Sequence, residues 1–478
     1  MPDGGPDPNI IEKTYTIDVI TPLFGGGYEA GKVDPDMPIR ASSIRGHLRF
    51  WWRATRGAKF DTVEELRQRE GEIWGSMENP SPVGIEVSDV QMGEKKPCAY
   101  YRWRQRNNGM WGWTLEWASE FNVANRSLPY VLFPFQGKMP DQDDEDKRER
   151  PQTEAYLSGQ FTLIVKYPRA EKMAVYRSVY NEQRKKKNIN PLSPDGDDDA
   201  IDDDVTTAIR AWVNFGGIGA RTRRGCGAIY CEDLAPEQQD TIGNWYLSNF
   251  TIEKINPDIK RRWPVLPGSI LINLNPDLAK SIQSWAAAIN VMKKFRQGKT
   301  GRDYHDNRPK RSRWPEAESL RDLDVPREFL TTGPPQFHPP DPAMHSIAFP
   351  LVEFGMPIIL EIRNEGIKLT LQPDETHDRM ASPLILRPLK TADGKYSSMI
   401  VKLDTPPLES AYIKPTKPCD VEYSVSSGEI RDLSYRIAPP IASGGYRYPV
   451  GGRCATGSAL DAFISFVQEP GNGFRKVP

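Results

Sequence analysis

The stretch "IRASSIRGHLRFWWRATRGAK", residues 39–59, carries six basic side chains, no acidic one, and a Trp pair at its centre. In helical register Ile44, Leu48, Trp51, Trp52 and Thr55 share one face, while Arg45, Arg49, Arg53 and Arg56 follow beside it at i, i+4, i+8 and i+11. This spacing predicts a helix with Ser42 as its N-cap. Like charges one turn apart repel by about 0.2–0.5 kcal/mol per pair, so the stripe calls for an anion or for carboxylates against it. Two readings follow. Arginine stems can cover apolar surface while their heads pair with carboxylates elsewhere, or the heads can face phosphate.

Upstream, "TYTIDVITPLF" (14–24) alternates as a strand does, and "GGGYEAGKVDPDMP" then forms a Gly- and Pro-rich loop. Further strands are expected at 83–90, 128–135 and 161–167, and a helix at 205–215 that ends in "GGIGARTRRGCG" before a short strand at "AIYCED". The polar runs 141–152 and 181–204, the latter ending in the acidic "DGDDDAIDDD", read as solvated surface loops. Residues 232–268 read as a junction, followed by a helix at 278–297 and strands at 345–354, 357–363, 382–390 and 397–404. Strands mixed with helices indicate an α+β class. A chain of 478 residues suggests two domains, assigned here to 1–250, with its acidic insertions, and 251–404, with an extension of unknown fold over 405–478.

The Gly-rich segment 216–227 joins five glycines to Arg221, Arg223 and Arg224, a composition suited to close backbone approach and to N–H donation toward phosphate, with Gly217 and Gly219 as the candidate positions. It lacks the dinucleotide fingerprint, since Thr222 stands where the third Gly is required. "GKT" (298–300) lacks the first Gly of a phosphate loop, which would fall at Lys293. Around it, residues 293–313 hold nine Lys or Arg, among them Lys299 and Arg302, against Asp303 and Asp306. That arm is either a solvated loop or a segment that orders on RNA. The Trp-rich run 98–117 interleaves Tyr101, Trp103, Trp111, Trp113 and Trp117 with Arg102, Arg104 and Arg106. Such a run suits base stacking, although a hairpin packed on the core explains it more simply.

Net charge is −1, from 63 Lys plus Arg against 64 Asp plus Glu, so any basic footprint is local. Five Cys form neither a disulfide framework nor a CxxC knuckle. No apolar window approaches 18 residues and no secretory pattern opens the chain, which implies a soluble, cytoplasmic protein with no membrane partner. No metal-ligating spacing stands out, and no cofactor is implied. Of five His, His47 in the basic helix and His305 in the basic arm are the candidate general bases for metal-independent RNA cleavage.

Taken together, "TPLFGGG" (21–27), "IRASSIRGHLRFWWRA" (39–54), "EIWGS" (72–76) and "GGIGARTRRGCGAIY" (216–230) resemble the RAMP superfamily of CRISPR proteins. Joined to "RMASPLILRPLK" (379–390), the form resembles the tandem-RAMP subunit at the head of the type III-B Cmr effector complex. The resemblance implies two ferredoxin-like (RRM-like) domains with antiparallel sheets, and a Gly-rich loop that brings Arg221 and Arg223 near Arg45 and Arg49. It also implies a non-catalytic RNA-binding subunit of an antiviral ribonucleoprotein. Such a subunit caps the complex at the 3′ part of the guide RNA and its duplex with target RNA, with other RAMP subunits as partners. Sequence specificity would then come from guide pairing, and target cleavage from the repeated backbone subunit. Two alternatives stand beside it: an endoribonuclease processing the guide precursor with His47 as base, and a pure protein scaffold.

Overall fold

The computed structural model describes residues 7–478 apart from 30, 108, 124–126, 188–200, 253–258, 276, 298–301, 306–307, 313–315, 317–348, 363–366, 375, 407, 409–410, 416–422 and 426–458. The chain divides into two compact units: residues 1–289, 385–405 and 477–478 form the first, and residues 290–384 and 406–476 the second. The fold is α+β, with several antiparallel sheets.

The first sheet grows from alternation. Strand β1 (Ile10–Val19) turns Tyr15, Ile17 and Val19 inward and is followed by α1 (Ala41–Ala54), α2 (Val63–Trp74) and β2 (Gly84–Met92). A subdomain of short strands comes next: β3 (Lys95–Pro97), the hairpin β4 (Ala99–Gln105) and β5 (Trp111–Trp117), α3 (Ser127–Leu132), β6 (Arg150–Pro151) and β7 (Glu154–Tyr156). The path returns through β8 (Gly159–Pro168), α4 (Ala170–Lys186), α5 (Ile201–Phe215) and β9 (Ile229–Tyr230). The order across the sheet is β2-β8-β1-β9, every pair antiparallel. Ile17 lies opposite Phe161 and Tyr15 opposite Leu163, so the inward residues of neighbouring strands form one apolar layer. Helices α1 and α5 bury Ile44, Leu48, Trp51 and Trp52 from one and Val205, Ile209 and Trp212 from the other in the core that includes this layer.

After α6 (Ile242–Phe250) the same path repeats, with β10 (Ile270–Asn273), then α7 (Ser281–Gln297). The strands β11 (Arg302–His305), β12 (Arg308–Ser312), β13 (Ile358–Ile362) and β14 (Ile367–Gln372) intervene before β15 (Leu384–Lys390) and β16 (Tyr396–Lys402). The chain closes through β17 (Ala411–Pro415), β18 (Tyr423–Val425), α8 (Ala459–Val467) and β19 (Arg475–Val477). The second sheet has the order β15-β16-β10-β19. Numbered within each sheet, both therefore run second, third, first, fourth, with one helix-bearing connection after the first strand and another after the third. Strand β19 comes from the stretch 405–478. In the second unit, the sheet β13-β14-β17-β18 accompanies an aromatic cluster in which Phe295, Phe354 and Phe463 lie 5.3–6.1 Å apart.

The Gly-rich segment 216–227 is an internal part of the first unit. Gly219 (φ +78°) lies so close to the 21–27 loop that a Cβ there would come within 2.5 Å of the Phe24 carbonyl oxygen. The Ala220 amide donates to that same oxygen at 2.6 Å, and the Gly227 amide to Pro22 at 2.8 Å. On the other side, Arg387 of β15 is fully buried and donates to the carbonyls of Gly216 (2.5 Å), Ile229 (2.7 Å) and its neighbour Pro388 (3.0 Å). Burial lowers its pKa to about 9.

Several expectations are corrected. Residues 128–135 form α3 and a 3-10 turn over Phe133–Phe135 instead of a strand, because an unbroken apolar run has no period to choose between the two and Pro129 fits a first helical turn. Residues 350–354 form a 3-10 turn led by Pro350, not a strand, and 345–348 lie outside the described residues. Helix α1 starts at Ala41 with Arg40 as N-cap and no capping side chain, so Ser42 lies inside it. The supposed junction 232–268 contributes α6 and the buried Trp263, Val265 and Leu266 to the core. The run 141–152 packs its own charges, with Arg150 on Asp144 at 3.0 Å, and pairs with β4 through β6.

The acidic end of 195–204 is not a solvated loop either. Asp202, Asp203 and Asp204 open α5, where the helix dipole favours them, and each meets a cation: Lys13 (2.6 Å), Arg56 (2.8 Å) and Arg69 (2.8 Å). Burial works against ionisation of Asp202 and Asp203, yet hydrogen bonds from Lys13 and Tyr167 to the first and from Arg56 to the second hold both below the usual carboxylate range. Asp204, 1% exposed, also accepts from the Trp52 indole at 2.8 Å.

Two substitutions separate these anchors. Asp204→Ala strands the buried Arg69 and Trp52 donors and is expected to cost about 3–5 kcal/mol in urea unfolding of the full chain. Arg387→Met leaves the Gly216 and Ile229 carbonyls without their donor and is expected to cost more than about 2 kcal/mol. An unchanged midpoint in either variant would contradict the anchoring role assigned to that residue.

Candidate functional site

The arginine stripe of α1 divides at the helix end. Thr55 closes α1 by donating its hydroxyl to Trp51 at 2.6 Å, and the chain then enters a 3-10 turn over Arg56–Lys59. Arg56 therefore leaves the stripe and faces Asp203. Arg45, Arg49 and Arg53 remain together and line an open cleft of about 1120 Å³.

The opposite wall of this cleft comes from α2 and the turn after it, with Arg67, Glu70, Trp74 and the loop 75–81, and Arg184 of α4 joins them. Helix α2 is set by a capping box in which Thr62 and Glu65 satisfy each other's backbone amides. That placement turns Glu70 inward, only 5% exposed. One oxygen of Glu70 accepts from both Arg49 and Arg53, each at 2.7 Å. Arg45 donates to the Val83 carbonyl at 2.9 Å, while its buried Nη1 has no hydrogen-bond acceptor among the described residues. Burial, and then the neighbouring Arg49, lower the Arg45 pKa. The Trp74 indole nitrogen, also buried and also on the cleft, likewise lacks an acceptor among the described residues. Among the described residues, five guanidiniums against the carboxylates of Glu70 and Glu78 leave an excess of cation.

The Gly-rich loop sits elsewhere on α1. Its amides at Gly216, Ile218, Ala220, Arg224, Gly225 and Gly227 already donate to carbonyls within the chain, and the Gly217 carbonyl accepts from Trp212 at 3.1 Å. The side chains remain. Arg223 lies over Phe50 of α1 at 5.0 Å and Arg221 over Phe133 at 5.7 Å. Burial lowers both, Arg223 to about 10. Arg224 gives its carbonyl to the Trp285 indole at 2.5 Å. Arg302 lies on β11 in the hairpin with β12, as does His305, and Lys299 lies outside the described residues.

His47 is half-buried and stacked on Trp212, with ring centroids 6.2 Å apart and planes 11° from parallel. Burial lowers its pKa. Among the described residues no group of His, Cys, Asp or Glu is arranged to hold a metal ion, and no helix is long and apolar enough to cross a membrane.

Sequence reasoning found three of the five cleft arginines and missed Arg67, Arg184 and Glu70. Arg184 fell in a run assigned to a loop, although it occupies the last turn of α4. The i, i+3 pairing of Arg67 with Glu70 was the available signal.

Residues 16–230 match the RAMP superfamily model. Among curated proteins, the CRISPR system Cmr subunit Cmr1-2 of Pyrococcus furiosus is 35% identical over 85 residues, 17% of this chain and 43% of that protein. Cmr subunit Cmr1-1 of the same organism is 21% identical over 249 residues, 52% of this chain and 56% of that one. The chain thus spans about half the length of the curated relatives it matches. Two solved structures are also similar. The apo crystal structure of Cmr1 from Pyrococcus furiosus has a TM-score of 0.41 at 13% identity, covering 98% of both chains. A chain in the cryo-EM structure of the type III-B Cmr-beta bound to cognate target RNA has a TM-score of 0.43 at 12% identity, covering 83% of this chain and 94% of that one.

The depressed His47 pKa has a signed consequence for stability. Between that lowered value and 6.5 the unfolded chain binds the proton more tightly than the folded one, so stability is full above 6.5 and is lost as pH falls through the window. In urea titrations from pH 7 downward, wild type minus His47→Gln is expected to show this slope. A difference independent of pH would contradict the burial of His47.

Proposed function

We propose, from the premise that residues 16–230 form a RAMP superfamily domain and that the chain resembles Cmr1 of the type III-B Cmr complex, that this protein is a non-catalytic RNA-binding subunit of a type III-B CRISPR effector. In this reading it caps the head of the assembly at the 3′ part of the guide RNA and its duplex with target RNA, beside other RAMP subunits. Its two four-stranded sheets, each with the strand–helix–strand–strand–helix–strand path, are the two ferredoxin-like modules.

One observation carries the reading: the cleft gathers Arg45, Arg49, Arg53, Arg67 and Arg184, and a buried donor of Arg45 has no acceptor among the described residues. Phosphate oxygens are acceptors with matching charge, and arginine meets them in a fork. Contacts of this kind hold the backbone and read no sequence, which agrees with specificity delegated to guide pairing. Arg221, Arg223 and Arg224 extend the basic surface through their side chains, and the basic arm with Lys299 and Arg302 is a separate candidate contact.

The competing reading takes His47 as general base of an endoribonuclease, and its lowered pKa does supply a neutral imidazole at pH 7. Labelled repeat RNA incubated with the protein in EDTA separates the two: product that disappears in His47→Ala selects the enzyme, and intact RNA selects the binding subunit.

The binding reading is tested by Arg45→Ala together with Arg49→Ala, which leaves Arg53 on Glu70. RNA affinity is expected to fall about tenfold or more, with the slope of log affinity against log salt less negative by about 1–2. Unchanged affinity, salt slope and incorporation into the complex would sink it.

A further inference from the structure

We propose that Phe133 and Arg221 together seat one unpaired nucleotide of single-stranded RNA, the phenyl ring stacking on the base and the guanidinium holding its phosphate. The inference rests on the RNA-binding reading and adds to it a contact directed at a base.

Single exposed apolar residues are ordinary on protein surfaces, so the 53% exposure of Phe133 decides nothing by itself. Its neighbour decides more. The Arg221 guanidinium lies 5.7 Å over the Phe133 ring. Arg49, Arg53, Arg56 and Arg69 each meet a carboxylate, but Arg221 meets none among the described residues. Beyond burial, only the Cys226 thiol and the Tyr130 phenol act on its charge, and its buried Nε has no acceptor among the described residues. Arg221 is also held at φ +59° and ψ +32°, a left-handed conformation that is costly for a residue with a Cβ and suits glycine. Glycine at 221 would therefore serve the fold better. An arginine there, half-buried and without an anion, is a cost in the free protein that an arriving phosphate offsets.

Ring and cation are both fixed to one residue. The Phe24 carbonyl accepts from the Ala220 amide at 2.6 Å, which places Arg221, and the Phe24 ring stacks on Phe135 at 4.4 Å with planes 6° apart, which places the turn that carries Phe133. Phe135 is 5% exposed, and its carbonyl accepts from the Cys98 thiol at 3.4 Å. Platform and cation thus stand side by side before any ligand arrives. A guanidinium stacked on a ring keeps its in-plane N–H donors for a phosphate fork, and the exposed part of the phenyl remains for a base. A carboxylate from a protein partner would meet Arg221 and leave Phe133 bare, whereas a nucleotide carries an anion and a π face in one unit. The base has to be unpaired, since in a duplex its faces are already stacked on its neighbours.

The test is a fluorescence titration of the full chain across a salt series, with single-stranded RNA carrying 2-aminopurine and with a duplex of the same sequence. Phe133→Ala is expected to weaken single-strand binding about fivefold or more and to abolish the quenching of 2-aminopurine, with the salt slope and the duplex affinity unchanged. Phe133→Trp should restore most of both losses. Arg221→Gly is expected to keep the wild-type thermal midpoint, because glycine suits the backbone there, while single-strand binding weakens and its salt slope becomes less negative by about 1. Wild-type single-strand affinity in Phe133→Ala and Arg221→Gly, alongside weakened binding in the Arg45→Ala, Arg49→Ala variant, overturns the nucleotide seat and leaves the RNA reading standing. A lowered thermal midpoint in both, with equal losses for single strand and duplex, makes the pair structural and overturns the seat as well. Failure of the wild-type chain to bind RNA at low salt overturns seat and reading together. Normal RNA binding by Phe133→Ala with loss of a co-purifying neighbouring chain would reassign the surface to a protein contact.

Discussion

A single buried guanidinium organises the first unit. Arg387 reaches from β15 to the Gly216 and Ile229 carbonyls, which joins the second sheet both to the Gly-rich loop and to β9. A charge buried among neutral partners is expensive unless its donors are used, and here carbonyl dipoles do the work that a carboxylate does elsewhere in the molecule. Around this point the backbone has no room for side chains. At Gly225 (φ +83°) a Cβ would lie 2.5 Å from the Trp285 ring and 2.6 Å from the Leu386 carbonyl oxygen. Thr21 completes the arrangement, donating to the Gly225 carbonyl at 2.6 Å and accepting from the Ala228 amide at 2.8 Å. The glycines of residues 216–227 thus have a structural cause that is independent of any ligand.

A second electrostatic layer lies on α1 and α5. Three aspartates at the start of α5 meet Lys13, Arg56 and Arg69, and Arg69 is also 3.1 Å from Glu72. Burial alone would lower the Arg69 pKa, but Asp204 and Glu72 outweigh it and hold it above the usual value. The carboxylates expected in the packed-helix reading of residues 39–59 are therefore present for Arg49, Arg53 and Arg56. The two readings of that helix are compatible. Its apolar side packs in the core, while its cleft side keeps more guanidinium than carboxylate.

Legibility followed period and distance. Strands β1 and β8, helices α5 and α7 and the Trp-rich hairpin were readable because their apolar residues recur at a period of two or near 3.6. The helix α3 was not, since its apolar run has no period. The aspartates of α5 looked solvated because their partners are remote in sequence, 135 residues away for Arg69 and 147 for Arg56. In the cleft, the α1 arginines stood out as a local stripe, whereas Glu70 and Arg184 acquire meaning only once α2 and α4 are placed beside them. Only the i, i+3 spacing of Arg67 and Glu70 hints at that wall in the sequence.

The shared oxygen of Glu70 has a consequence for kinetics and entropy. A free arginine side chain loses about 0.5–1.5 kcal/mol of conformational freedom when a ligand immobilises it. Arg49 and Arg53 have already lost much of theirs, because Glu70 fixes both heads when the chain folds. Each spends one donor on the carboxylate, and a guanidinium has five. On the proposed function, an arriving phosphate would therefore meet a receptor that is already set, and its association would involve little further ordering of these two side chains. The carboxylate at the back of the cleft acts less as a competitor for the arginines than as the template that holds them ready.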